Sequence, residues 1–167
     1  MQMKAPAHTL QQVRAFLRLN RATGRIYWRV TRGKAVKGAE AGCPTSNGYL
    51  VVRLEGRLYM AHHLAWLLHT GVWPSCSLDH KNGVGTDNRK RNLREASQDL
   101  NMQNLRGPRS DNTTGFLGVS LYKPNGRYRA SIFVGKRHIS LGYYATPEEA
   151  SVAYLQAKRK FHQGCTI

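Results

Sequence analysis

The chain of 167 residues is long enough for one ordinary domain or two small ones, and a hydrophobic share of 41% argues against wholesale disorder. Lys and Arg number 26 against 9 Asp and Glu, giving a formal charge of +17 and a pI near 10.5. Such an excess repels itself in the compact state and suits a polyanionic partner. No run reaches the roughly 18 apolar residues of a membrane-spanning helix. The opening MQMKAPAHTLQQV lacks the apolar stretch of a secretory signal, so a cytoplasmic location and no membrane partner are expected.

In chain order, Thr9-Leu10-Gln11-Gln12 reads as a capping box, followed by Leu10, Val13 and Leu17 on one helical face. Thr23-Gly24 turns the chain into an alternating strand, Arg25 to Val30. Asn47-Gly48 precedes a strand from Tyr49 to Leu54, and Glu55-Gly56 separates it from Arg57 to Met60, a hairpin pattern. A helix is predicted over about 61–69, stopped by Gly71 and Pro74. Ser97 can cap a short helix running to about Asn104.

The polar stretch from Arg106 to Thr114 has no apolar period and reads as a linker. Beyond it, Phe116–Tyr122, Tyr128–Val134 and His138–Leu141 are strand candidates, with Asn125-Gly126 and Gly135 as turns. Thr146-Pro147-Glu148-Glu149 opens a helix: Thr as N-cap, Pro at the first helical position, Glu closing a capping box. Ala150, Ala153, Tyr154, Ala157 and Phe161 share one face of that helix, spaced to lie on a small sheet. Two α+β units without internal repeats are expected. Cys43, Cys76 and Cys165 are odd in number and far apart, which suits free thiols packed in the fold in a reducing compartment.

Basic residues are spread along the whole chain, as in a protein that lies along a nucleic acid, while acids concentrate in the middle third. A carboxylate beside a phosphate backbone costs binding energy unless a cation intervenes. Residues 78–104, LDHKNGVGTDNRKRNLREASQDLNMQN, set Asp79 beside His80, with Asn92 and Asn101 further on. Hydrolysing a phosphodiester needs a deprotonated water, a cation at the developing charge and a rigid frame. An imidazole is a suitable base at neutral pH. A carboxylate and an amide oxygen suit a hard cation such as Mg²⁺.

Residues 62–104 resemble the HNH endonuclease family, specifically the phage-type homing enzymes. The matching segments are His62-His63-Leu64-Ala65-Trp66, Gly71 with Pro74, Leu78 to Gly83, Asp87-Asn88-Arg89 and Asn92 to Ser97, ending at Asn101 and Asn104. The resemblance implies a ββα-metal fold holding one divalent ion, Mg²⁺ with Mn²⁺ as the alternative, and double-stranded DNA as substrate. It makes His80 the general base, Asn92 a catalytic residue that braces the loop, and Asp79 and Asn101 the metal ligands. Asn101 stands where the family's namesake pattern has its last His, and Asn104 is a rival ligand on the same helical side. His63 stands where the family often has Arg; a phosphate contact and a half-buried helical histidine are both open. Arg94 is a further candidate DNA contact. If the chain is phage-encoded, the cytoplasm is the host's.

Residues 113–163 resemble the DNA-binding domain of plant Apetala/ethylene-response factors. The matching pieces are Gly115 to Val119, Gly126 to Ile132, Leu141 to Ala150, and Ala153-Tyr154. The resemblance implies a three-stranded sheet laid in a major groove and backed by one helix. Independently, alternation puts Tyr128, Ala130 and Ile132 on one strand face and Arg127, Arg129 and Ser131 on the other. Arg127, Arg129, Lys123 and Arg137 are therefore the DNA-binding candidates here. Ser140 replaces the Trp that the plant domains carry before the last strand's Leu-Gly.

The fold expected is α+β: a ββα-metal (HNH) nuclease core with N-terminal strands, followed by a small three-stranded sheet plus one helix. The boundaries are 1–59 for the N-terminal helix and strands packed on the core, 60–105 for the nuclease motif, 106–114 for the linker and 115–164 for the DNA-binding domain. The function expected is a sequence-biased, metal-dependent DNA endonuclease of homing type, nicking or cutting both strands, with no protein partner implied. The alternative is a DNA-binding or regulatory protein with an inactive nuclease centre. An RNA-binding reading is weaker, because the 3 Trp, 8 Tyr and 4 Phe show no run resembling a stacking platform.

Overall fold

A computed structural model describes residues 8–109, 111–163 and 165. The chain forms two compact units that divide between Ser97 and Gln98. The division comes ahead of the 106–114 stretch, so the short helix after Ser97 is grouped with the C-terminal residues. Ser110 and Gly164 lie outside the described residues.

The first unit opens with α1 (Leu10–Phe16), whose Thr9–Gln12 capping box is formed on both sides. Leu17 does not continue that helix. It begins β1 (Leu17–Leu19), which pairs antiparallel with β2 (Ile26–Trp28), a shorter strand than the expected Arg25–Val30. Leu17 is fully buried all the same, because Val13, Leu17 and Ile26 meet in one core. A second sheet has the order β3 (Cys43–Pro44), β4 (Leu50–Leu54), β5 (Arg57–Met60). Its β4–β5 hairpin turns at Glu55-Gly56 as the sequence indicates. Cys43 is exposed rather than packed, and its thiol, like that of Cys76, is free.

α2 (Ala61–Thr70) follows β5 directly and ends at Gly71 in the left-handed conformation, where a side chain would be strained. Ala61, Leu64, Ala65, Leu67 and Leu68 are buried on it, so it is the central rod of the unit. Burying such side chains stabilises by roughly 1.5–3 kcal/mol each for the larger ones. β6 (Leu78–His80) and β7 (Leu93–Glu95) form a two-stranded antiparallel ladder, with a single 3-10 turn at Lys90–Asn92 before β7. The N-terminal end of the described chain is fastened by His8, whose Nδ1 lies 2.6 Å from the Tyr59 hydroxyl and Nε2 3.1 Å from Glu55 Oε2.

The second unit begins with α3 (Gln98–Gln103). Its sheet has the order β10 (Arg137–Tyr144), β9 (Arg127–Val134), β8 (Val119–Tyr122), all antiparallel. β8 starts later than expected and β10 extends further. Between Ser140 and Gly142 the register of β10 slips by one residue, a β-bulge. α4 (Pro147–Phe161) has the expected Thr146–Glu149 capping box and lays Ala150, Tyr154 and Ala157 on Val119, Ala130 and Ile132. Phe161, expected on that face, is 38% exposed, while Lys158 is buried. The Lys158 ammonium donates to the Leu105 carbonyl, which holds α4 to the segment after α3. Among the described residues, no helix is long and apolar enough to cross a membrane.

Candidate active site

The β6–β7 ladder sets Asp79 directly opposite Arg94, and residues opposite each other share a face. Their side chains meet: Arg94 Nε donates to Asp79 Oδ2 at 2.9 Å and Nη2 lies 2.7 Å from the same oxygen. Strand alternation then turns His80 to the other face, into the unit, where it is buried. There its ring stands edge-on to that of His62, with centroids 5.1 Å apart, and 5.8 Å from Tyr49. His63 lies 4.5 Å from His62. Three imidazoles and a phenol thus converge from β4's leading turn, α2 and β6.

Burial depresses these histidines. His62 falls to about 3, first through loss of water and then through its neighbours His63 and His80; its Nδ1 is buried with no hydrogen-bond partner among the described residues. Burial also lowers His63. His80 is lowered by burial too, although its hydrogen bond to Asn88 and the carboxylates of Asp79 and Asp87 oppose the shift. At neutral pH the imidazole of His80 is therefore uncharged, the form that can accept a proton.

The loop after His80 is held from several sides. Asn92 spans it: its Oδ1 accepts from the Asn82 N–H at 3.0 Å and its Nδ2 donates to the Asp87 carbonyl at 2.7 Å. The Lys81 N–H donates to the Asn92 carbonyl at 2.8 Å. Asp87 accepts from Arg89 Nε at 2.7 Å and from Asn82 Nδ2 at 2.8 Å, and pairs again with Arg89 Nη2. That guanidinium is the main reason the Asp87 carboxyl is held down to about 2. Asn88, the next residue, has its Oδ1 3.0 Å from His80 Nε2.

The remaining expected site residues fall in three places. Asn101 lies on α3 in the second unit, and its Oδ1 is buried without a hydrogen-bond partner among the described residues. Asn104 follows that helix and is buried. Arg127 and Arg129 share the open face of β9, opposite Tyr122 and Ser120 on β8, and Arg129 is also opposite Tyr143 on β10. Ser131 and Ser140 continue that face. Lys123 is exposed in the β8–β9 turn. Arg137 pairs with Val134, whose side chain packs toward α4, so the register separates it from the Arg127–Arg129 face.

Sequence reasoning gave no role to Tyr49 or to the side chain of Asn88. Asn88 was visible only as the middle of the Asp87-Asn88-Arg89 run, and nothing local distinguishes a buried Asn from a turn Asn.

Residues 59–106 match the family model for HNH endonucleases. The match supports a nuclease, a phosphodiester hydrolase with DNA as the suggested substrate. No curated protein and no solved structure matches the chain.

Proposed function

We propose that this chain is a divalent-metal-dependent endonuclease of double-stranded DNA, of the phage homing type, cutting with residues 60–105 and biased in sequence by residues 115–164. The observation that carries this reading is His80, a buried, uncharged imidazole beside Asp79 at the end of β6, followed by a loop fixed by Asn92 and the Asp87–Arg89 pair. His80 would take the proton from the attacking water. Asn92 would keep the loop from drifting, and Arg94 would orient the Asp79 carboxylate. Rigid positioning of that kind is what general-base chemistry depends on.

The donor chemistry fits a hard cation. Asp79 brings a carboxylate, and Asn101 brings an amide oxygen buried without a hydrogen-bond partner among the described residues. By the family resemblance these two are assigned as the ligands, Mg²⁺ as the ion and Mn²⁺ as its substitute. When bound, the ion would stabilise the charge developing on the scissile phosphate and the leaving oxygen. Among the described residues no three His, Cys, Asp or Glu side chains gather as a metal site. The assignment therefore rests on one carboxylate and one amide.

The second unit is read as a DNA-binding module similar to the Apetala/ethylene-response factor domain. Its antiparallel sheet backed by one helix supports this, as do Arg127 and Arg129 on the face away from α4. Lys123 would add a backbone contact from the turn, and His63 and Arg94 would face phosphate in the first unit. A second reading, a DNA-binding protein with an inert nuclease centre, is favoured by one observation: Asp79 is already paired with Arg94.

Incubating supercoiled plasmid with Mg²⁺, Mn²⁺ or a chelator, beside a His80→Ala variant, separates the two. Cleavage that needs the metal and falls about 10²–10⁴-fold in the variant is expected. A wild-type chain that retards DNA but leaves it intact in every condition would establish the second reading.

A further inference from the structure

The contact between His80 and Asn88 fixes more than the position of the imidazole. A neutral imidazole carries one proton, on either ring nitrogen, and only the other nitrogen can act as a base. His80 Nε2 lies 3.0 Å from Oδ1 of Asn88. An amide oxygen only accepts, so the proton must sit on Nε2 for this hydrogen bond to exist. The lone pair is then on Nδ1. We propose that Asn88 is a positioning residue that locks His80 in its Nε2–H tautomer and so selects Nδ1 as the basic nitrogen.

The lock is built rather than incidental. His80 is 4% exposed and Asn88 2%, so the pair is shielded from water that would compete for the hydrogen bond. The backbone under Asn88 is constrained on both sides. Asp87 before it is clamped by Arg89, and its carbonyl is held by Asn92 Nδ2. Gly24 packs against Asn88 and Arg89 so closely that a Cβ there would collide with their backbone, and its φ of +73° is one that glycine adopts without strain. A backbone hydrogen bond also ties Asn88 to His69 on α2. On so fixed a support the Asn88 side chain presents its oxygen to His80 Nε2. Partners that hold the second nitrogen of a metal-ligating histidine typically change metal affinity or activity about 10–100-fold when removed, and the same scale is expected for a partner that orients a basic imidazole.

The catalytic use of the lock rests on the nuclease reading above, but the tautomer itself does not. It is measured on the full chain, labelled with ¹⁵N in its histidine rings, at neutral pH with a chelator present. Two-bond nitrogen–proton correlations distinguish the two tautomers, and a His80→Gln variant assigns the resonance among the 7 histidines. The expected result is an Nε2–H pattern for His80 in the wild type. Asn88→Ala should convert it to an averaged pattern of both tautomers, and Asn88→Asp, which keeps an acceptor, should restore Nε2–H. An Nδ1–H pattern in the wild type would overturn the inference without any variant, as would an unchanged pattern in a folded Asn88→Ala chain. Plasmid cleavage run in parallel should fall about 10–100-fold in Asn88→Ala, with DNA retardation unchanged. An inert wild type with the Nε2–H pattern would sink the nuclease reading and leave the tautomer lock standing.

Discussion

Acid should loosen the first unit through His62. In the folded chain its pKa is about 3, against about 6.5 in an unfolded chain. Between those values the unfolded chain holds a proton that the folded one refuses, so falling pH favours unfolding; above about 6.5 both states are neutral and the effect is gone. Each pH unit inside the window costs on the order of 1.4 kcal/mol. Going from about pH 7.5 to about pH 4.5 should then remove roughly 3 kcal/mol, a large share of the 5–15 kcal/mol typical of a domain. His63, His69 and His80 are also lowered by burial and act in the same direction, so the His62 share must be isolated by a variant. His62→Phe keeps a ring against Tyr49 and His80 and removes the titration. Trp28, Trp66 and Trp73 are all of the chain's tryptophans and all lie in the first unit, so their fluorescence during urea unfolding reports on it alone. The loss of stability between the two pH values should be about 3 kcal/mol smaller in the variant. Equal losses in both proteins would refute the argument.

Further outcomes follow from the same structure. Asn92→Ala removes two hydrogen bonds from the loop and should cost about 2 kcal/mol or more, read by the same fluorescence. Arg127→Ala should weaken DNA binding in competition assays: by roughly 1–3 kcal/mol on the preferred site alone if it reads a base, or on all sequences with a salt slope flatter by about one if it holds a phosphate. An unchanged affinity on every DNA would remove the open face of β9 from the interface. Gly118→Ala puts a Cβ into the Tyr154 ring at a φ of +73° and should destabilise the second unit by about 2 kcal/mol or more. Hydrogen exchange should then speed up along β8–β10 and α4 and stay unchanged in α2.

What the sequence disclosed was mainly what is decided within a few residues. The Thr9 and Thr146 capping boxes, the Glu55-Gly56 turn and the Gly71 stop each depend on hydrogen bonds or φ angles set by near neighbours. The two faces of β9 were legible because period two needs only one buried side. β1 and β3 were not, since two- and three-residue strands exist only through distant partners. Burial of Lys158 follows from where the Leu105 carbonyl comes to rest, which no helical spacing encodes. In the site, Asp79, His80 and Asn92 stood out by residue type and spacing. Tyr49 and Asn88 act through a packed ring and a buried amide, and such roles appear only once the chain is folded.

The bulge in β10 bears on how this unit tolerates insertions and deletions. Before it, Ser140 faces the open side opposite Ser131; after it, Tyr143 takes the open side opposite Arg129 and Tyr144 turns inward opposite Tyr128. Paired regularly with every residue retained, the two tyrosines would exchange sides. Losing one amino acid at the bulge would instead let the strand pair regularly and leave the Tyr143 ring on the open side and the Tyr144 ring in the interior. An insertion in the Tyr122–Arg127 turn leaves every side as it was. Length variation among descendants of this chain should therefore accumulate in that turn, and a single deletion between Ser140 and Gly142 should keep both faces of the sheet.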